Sequence, residues 1–274
     1  MLSHRRSGSG PPLLLVHGIG LDVNCWEPVR GLLERERDVI AVDLPGFGGS
    51  PVLDGTPTVP ALASAVEGLI GDLGLERPHV AGNSLGGAVA LELGRRDAVA
   101  SVTALSPVGF AGAAGQQFAR RSLLLTHRVA RALCGRGART FARPGVRRLL
   151  CEQMFAHPER LTPDQAYANL TTLVEGAGFH AVLDRLWDLR FAGPVPVPVT
   201  IAWGTRDGLL LPYQALRARR VLPEARHVWL RGCGHLPMSD DPEQVAGVLL
   251  AGSAVGDSAR GGGAGLCAGR VRVG

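Results

Sequence analysis

Apolar residues along this chain fall in short unbroken runs rather than in alternation. Leu13 to Val16, Asp38 to Val42, His79 to Ala81, Ser101 to Leu105, Val199 to Trp203 and Arg226 to Leu230 each read as a strand buried on both faces, the pattern of a parallel sheet. Between them lie segments with helical spacing. Val59 to Leu73 and the alanine-rich stretch leading to Arg96 are examples, and Asp241 with Pro242 caps a last helix running to Ala251. Strands alternating with helices predict an α/β fold with an open, mostly parallel sheet flanked by helices.

From Ala111 to about Arg190 the pattern changes to helices alone. Within Phe118 to Leu133, Arg120, Arg121, Arg128 and Arg131 gather on one side, opposite Phe118, Leu125, Val129, Ala132 and Leu133, which predicts an amphipathic helix with a solvent-facing arginine stripe. Thr162-Pro163-Asp164-Gln165 supplies a cap, a first-position proline and a capping-box glutamine for a helix over Tyr167 to Val174, and a further helix is expected from Phe179 to Leu189. The division expected is a core formed by 1–110 and 191–251, a helical lid inserted at 111–190, and a glycine-rich, disordered tail over 252–274. The first residues, rich in Ser, Gly and Pro, read as a flexible start.

Composition narrows the classes. At 274 residues and 46% hydrophobic content the chain can bury a sizeable core. The net charge of +5 is local: nine arginines and no acid lie between Ala111 and Leu150, so a basic surface for nucleic acid is not expected. The five cysteines are scattered without a C-x-x-C pair, which suggests neither a disulfide framework nor a zinc site and fits a reducing, cytoplasmic setting. The run Leu13 to Val16 is too short for a signal-peptide core or a membrane span, so a membrane role is not expected.

The chemistry gathers where strands end. Gly82-Asn83-Ser84-Leu85-Gly86 between a strand and a helix predicts a nucleophile elbow, a reversal so tight that its flanking positions have no room for side chains and the hydroxyl of Ser84 is lifted above the sheet edge. His17-Gly18-Ile19-Gly20 ends the first strand, where the backbone N–H of Ile19 can join that of Leu85 to hold a developing oxyanion. His17 is expected to brace that loop, Asp43 to be structural in the turn Asp43 to Ser50, and Trp26 to pack in the core. Asp207, after the strand ending at Trp203, and His235, after the strand ending at Leu230, complete the set. A histidine takes the serine proton and a carboxylate fixes its tautomer. Asp207 alone could form a turn and His235 alone could be a satisfied loop histidine; three such residues in this order at one sheet edge point to nucleophilic catalysis without cofactor or metal.

With those residues in place, the sequence strongly resembles the α/β-hydrolase family, through His17-Gly18-Ile19-Gly20, Asp43-Leu44-Pro45-Gly46-Phe47-Gly48-Gly49-Ser50, Gly82-Asn83-Ser84-Leu85-Gly86-Gly87, Trp203-Gly204-Thr205-Arg206-Asp207 and Gly232-Cys233-Gly234-His235. The resemblance implies nucleophile, acid and base at Ser84, Asp207 and His235. The reading that follows is a serine hydrolase of carboxylic esters or related acyl compounds of small to medium, mainly apolar molecules, the motifs being specific for fold rather than for substrate. A carbon-carbon bond hydrolase of β-diketone-like substrates with the same triad is an alternative, and a ligand receptor retaining the fold is another. One departure stands out: the family usually begins with a two-stranded hairpin before the first parallel strand, and only twelve residues precede Leu13, which predicts a short or exposed sheet edge.

Overall fold

The computed structural model describes residues 1–186 and 189–261, those from 256 onward as backbone only. Its elements follow one another as β1 (His4–Gly8), β2 (Pro12–Val16), α1 (Glu27–Leu33), β3 (Asp38–Val42), α2 (Val59–Asp72), β4 (His79–Asn83), α3 (Leu85–Arg95) and β5 (Ser101–Leu105). Then come α4 (Ala113–Leu133), α5 (Pro144–Cys151), α6 (Pro163–Glu175) and α7 (Phe179–Leu183), with short single-turn helices between them. The chain returns through β6 (Val199–Gly204), α8 (Tyr213–Val221), β7 (Arg226–Leu230), α9 (Pro237–Asp240) and α10 (Pro242–Gly261).

The strands form one seven-stranded sheet in the order β1-β3-β2-β4-β5-β6-β7, parallel throughout except for β1. The expected parallel core is therefore present, and the unbroken apolar runs are its central strands: every residue of β4 and β5 is buried. α2 and α3 pack on each other, as do α1 and α10, and α3 and α10 both lie against β4 and β5.

Two expectations about the ends are corrected. The first residues are not a loose start. His4–Gly8 runs antiparallel to β3 in the register His4 to Val42, and the Arg6 guanidinium holds the Asp38 carboxylate with bonds of 2.6–3.1 Å. An edge strand bonded on one side needs no apolar run, so β1 leaves no hydrophobic signal; its turn into β2 is made by Gly8 and Gly10, both at positive φ. At the other end, the helix expected to stop at Ala251 continues to Gly261, so the tail expected from 252 is overturned for its first part, while 262–274 lie outside the described residues. Gly252 is a site of close approach, not a breaker: a Cβ there would overlap the Thr103 hydroxyl of β5. The next residue, Ser253, is buried with its Oγ accepting from Arg37 Nε at 3.0 Å.

Among the described residues, no strand lies between β5 and β6, as the sequence pattern requires, but the details of that helical segment differ from expectation. The face that α4 buries is Gly115, Gln116, Ala119, Leu123, His127 and Ala130, not the one carrying Phe118 and Leu125, and Leu125 is 62% exposed. Small residues let α4 approach its neighbours closely, and a scale of side-chain hydrophobicity does not register that. Arg121, Arg128 and Arg131 do face solvent, while Arg120 pairs with Asp184 at 3.2 Å. The capping box on α6 is complete, Thr162 Oγ1 accepting from Gln165 N and Gln165 Oε1 from Thr162 N. The helix expected over Phe179 to Leu189 ends at Leu183, and residues 187–188 of that stretch lie outside the described residues.

Candidate active site

The turn between β4 and α3 is tight and strained. Ser84 sits at φ 56°, ψ −113°, a conformation L residues rarely adopt. Three backbone bonds hold it there: its N–H donates to Leu105 O at 2.9 Å, and its carbonyl accepts from Ala88 N at 3.1 Å and Val108 N at 3.2 Å. A Cβ on Gly82 would overlap the Gly86 carbonyl, and one on Gly86 the Val16 carbonyl, so the spacing of glycines around Ser84 follows from backbone meeting backbone.

The loop after β2 lies against this turn, with a Cβ built on Gly18 only 3.3 Å from Ser84 Cβ. His17, fully buried, braces it. Its Nε2 accepts from Leu44 N at 2.9 Å, so the proton sits on Nδ1 and is donated to Gly18 O at 2.7 Å. Burial holds its pKa below the usual histidine value, consistent with the neutral ring those bonds require. Asp43 is also structural, accepting from Val23 N and Gly49 N at 2.9 Å each. Trp26 is wholly buried. The N–H groups of Ile19 and Leu85, expected to face a site, have no hydrogen-bond partner among the described residues.

Asp207 and His235, from the loops after β6 and β7, are brought together: His235 Nδ1 and Asp207 Oδ2 lie 2.8 Å apart, with the side chains 3% and 0% exposed. The other carboxylate oxygen accepts from Leu209 N at 3.0 Å and Leu210 N at 2.8 Å. An oxygen set so firmly as an acceptor makes Nδ1 the protonated nitrogen and leaves Nε2 able to take a proton. Ser84 and His235 line the same hollow, about 570 Å³ of atom-free space walled by Leu123, Leu150, Met154, Leu170 and Leu173 of the helical segment.

Two residues hold this arrangement in a role that the sequence pattern does not announce. Asn83, beside the serine, donates from Nδ2 to His235 O at 3.0 Å and to Leu105 O at 3.3 Å, tying the histidine loop to the elbow. Asp240, in α9, accepts from Gly234 N at 2.7 Å and, across to the helical segment, from Ala156 N and His157 N at 3.0 Å each. Its spacing from His235 resembles any helix-start acid, so sequence alone gave no signal. Cys151, which lines the hollow, has its thiol pushed up to about 11 by burial and stays protonated. Among the described residues no cluster of three or more His, Cys, Asp or Glu is placed to hold a metal, and no helix is long and apolar enough to cross a membrane.

The family model described as "Alpha/beta hydrolase family" matches residues 13–248. The chain belongs to the alpha/beta hydrolase family. This alpha/beta hydrolase is 32% identical over 246 residues to the dihydrolipoyllysine-residue acetyltransferase component of the acetoin cleaving system of Pseudomonas putida, a match covering 88% of the chain and 63% of that longer protein. Among solved structures it resembles a thermophilic esterase from Thermogutta terrifontis, at 26% identity and TM-score 0.69, covering 95% of this chain and 93% of the other. It also resembles a putative lipase from Acinetobacter baumannii, at 23% identity and TM-score 0.76, covering 93% and 88%, a likeness of fold.

Proposed function

We propose that the chain is a serine hydrolase that cleaves carboxylic esters of small to medium, mainly apolar molecules through an acyl-enzyme on Ser84. The observation that carries this reading is the buried Asp207–His235 pair beside the strained Ser84, with both Ser84 and His235 open to one apolar hollow. His235 Nε2 takes the Ser84 proton as Oγ attacks the ester carbonyl. The oxygen that gains charge is stabilised by the N–H groups of Ile19 and Leu85. Collapse of the tetrahedral intermediate breaks the bond to the alcohol, which leaves with the proton returned by His235. Water then repeats the sequence, releasing the acid and restoring Ser84. Asp207 keeps the proton on Nδ1 and stabilises the charged ring. The helices of 111–190 roof the hollow as a lid, and their apolar side chains set the preference for apolar substrates.

Ser84→Ala, expected to fold, should lose both labelling by a fluorophosphonate and hydrolysis of p-nitrophenyl esters, and Asp207→Asn should slow turnover on the order of 10³ to 10⁴-fold. Labelling that persists in Ser84→Ala would remove Ser84 from this role.

A further inference from the structure

Ser84 borders a second hollow, about 460 Å³ of atom-free space, that continues from the first past Ile19, Leu123 and Leu209, which line both. His235 lines the first and not the second. On the acyl-enzyme reading proposed above, this divides the substrate. The alcohol must depart beside the histidine that protonates it, so the first hollow takes the leaving group and the second takes the acyl part.

The second hollow is apolar along Val108, Ala119, Leu186 and Leu210, but Gln214 also lines it. That side chain is 1% exposed, and neither its Oε1 nor its Nε2 has a hydrogen-bond partner among the described residues. The other glutamine of the same wall, Gln116, is served: its Nε2 donates to Leu189 O at 3.2 Å. A buried amide with donor and acceptor both unused is costly, and folding alone gives no reason to keep it. Its backbone is already held by its N–H to Leu211 O at 2.9 Å, and its neighbours on α8, Ala215 and Ala218, pack without polar help. Such a group becomes favourable when a ligand completes it, and a site of this kind rejects ligands that leave it unpaired.

We propose that Gln214 is a specificity-determining residue that reads a neutral hydrogen-bonding group, a hydroxyl or carboxamide, carried on the acyl part of the substrate. Gln214 offers one donor face and one acceptor, which a hydroxyl or carboxamide answers in kind. A carboxylate or ammonium does not fit, because among the described residues no charged side chain lines this hollow to compensate its desolvation. The substrate class is thereby narrowed from apolar esters to esters whose apolar acyl chain ends in such a group.

The test is a set of p-nitrophenyl esters of matched acyl length ending in a hydroxyl, a carboxamide or an apolar isostere of each, with kcat/KM expressed per site titrated by fluorophosphonate. The wild-type protein should prefer the polar-ended esters by roughly 10- to 100-fold over their isosteres. In Gln214→Met, which keeps length and removes both hydrogen-bonding atoms, that ratio should fall to near one or invert, whatever happens to the absolute rates. A wild-type protein that hydrolyses all the esters without preference overturns this proposal while leaving the serine hydrolase reading intact, and so does a preference that survives in Gln214→Met. Should Gln214→Met fail to fold, Gln214→Leu, which also removes both hydrogen-bonding atoms, is read in the same way. A wild-type protein that neither labels nor hydrolyses any of them overturns the underlying reading and this one with it.

Discussion

The floor and the roof of the hollow are built by opposite rules. The floor, at the carboxyl edge of the sheet, is fixed by backbone: a serine in a strained conformation, glycines that touch carbonyls, and a carboxylate with both oxygens engaged. The roof, from α4 to α6, meets the hollow mainly with leucine, methionine and phenylalanine side chains, whose contacts have no preferred direction. The groups that place Ser84, Asp207 and His235 thus have little freedom, while the groups that wall the hollow repack at small cost.

The sharpest way to break this contrast is a matched pair of small substitutions. Gly86→Ala adds one methyl where the Val16 and His17 carbonyls already stand, so backbone must move; we expect at least about 3 kcal/mol of destabilisation. Leu150→Ala removes three carbons from the roof at a half-buried position, and about 1–2 kcal/mol is expected. Chemical denaturation of the two variants checks the order. Equal losses would mean that the floor is no more constrained than the roof.

The same contrast explains what the sequence made legible. Floor residues announce themselves because the constraint is local: Gly82, Gly86 and Ser84 sit within five positions, and the strands before Asp207 and His235 read as apolar runs. The sheet's parallel core followed for the same reason. What stayed hidden was set by distant contacts. The buried face of α4 is chosen by how closely Gly115 and Ala119 let their neighbours approach, not by where phenylalanine and leucine fall. β1 is recruited by the open edge of β3, and α10 passes Gly252 so close to Thr103 of β5 that no side chain fits there. Gln214 and Asp240 carry no motif at all; only burial and partners distinguish them from other helix-start polar residues.

Asp240 is where the two regions are joined. Its carboxylate accepts from Gly234, next to His235, and from Ala156 and His157 between α5 and α6, and Leu236 N donates to Met154 O at 2.8 Å beside it. In Asp240→Asn the amide turns a donor toward N–H groups that need an acceptor. A cost of about 2 kcal/mol is expected, or roughly 4–8 °C in Tm, with a loss of activity on the order of 10-fold as Gly234 shifts the histidine loop. Thermal melting and ester kinetics on the one variant check both. A fall in Tm without any change in rate would show that the joint steadies the roof alone.

The smallest expected effect is a pH dependence that separates floor from roof. Each region holds a histidine whose pKa burial lowers: His17 beneath the elbow, and His127 in α4, where the nearby His180 and Arg131 lower it further and the ring stacks on Phe179 at 4.5 Å. In the unfolded chain both take up a proton near pH 6.5, while in the folded chain they resist it until lower pH. The unfolded state therefore binds more protons in that window, and stability, complete above about pH 6.5, declines as the pH falls through it. Replacing His127 by phenylalanine removes the roof's share and keeps the stacking partner, so Tm should fall less steeply between pH 7 and pH 5 than in the wild type, with the His17 share remaining. Melting curves across that range measure it. If hydrogen exchange at the lower pH then speeds up in the α4 backbone of the wild type but not of His127→Phe, while β2 and β4 stay protected in both, acid loosens the roof before the floor. Equal loosening of both regions would show that the two histidines titrate within one cooperative unit.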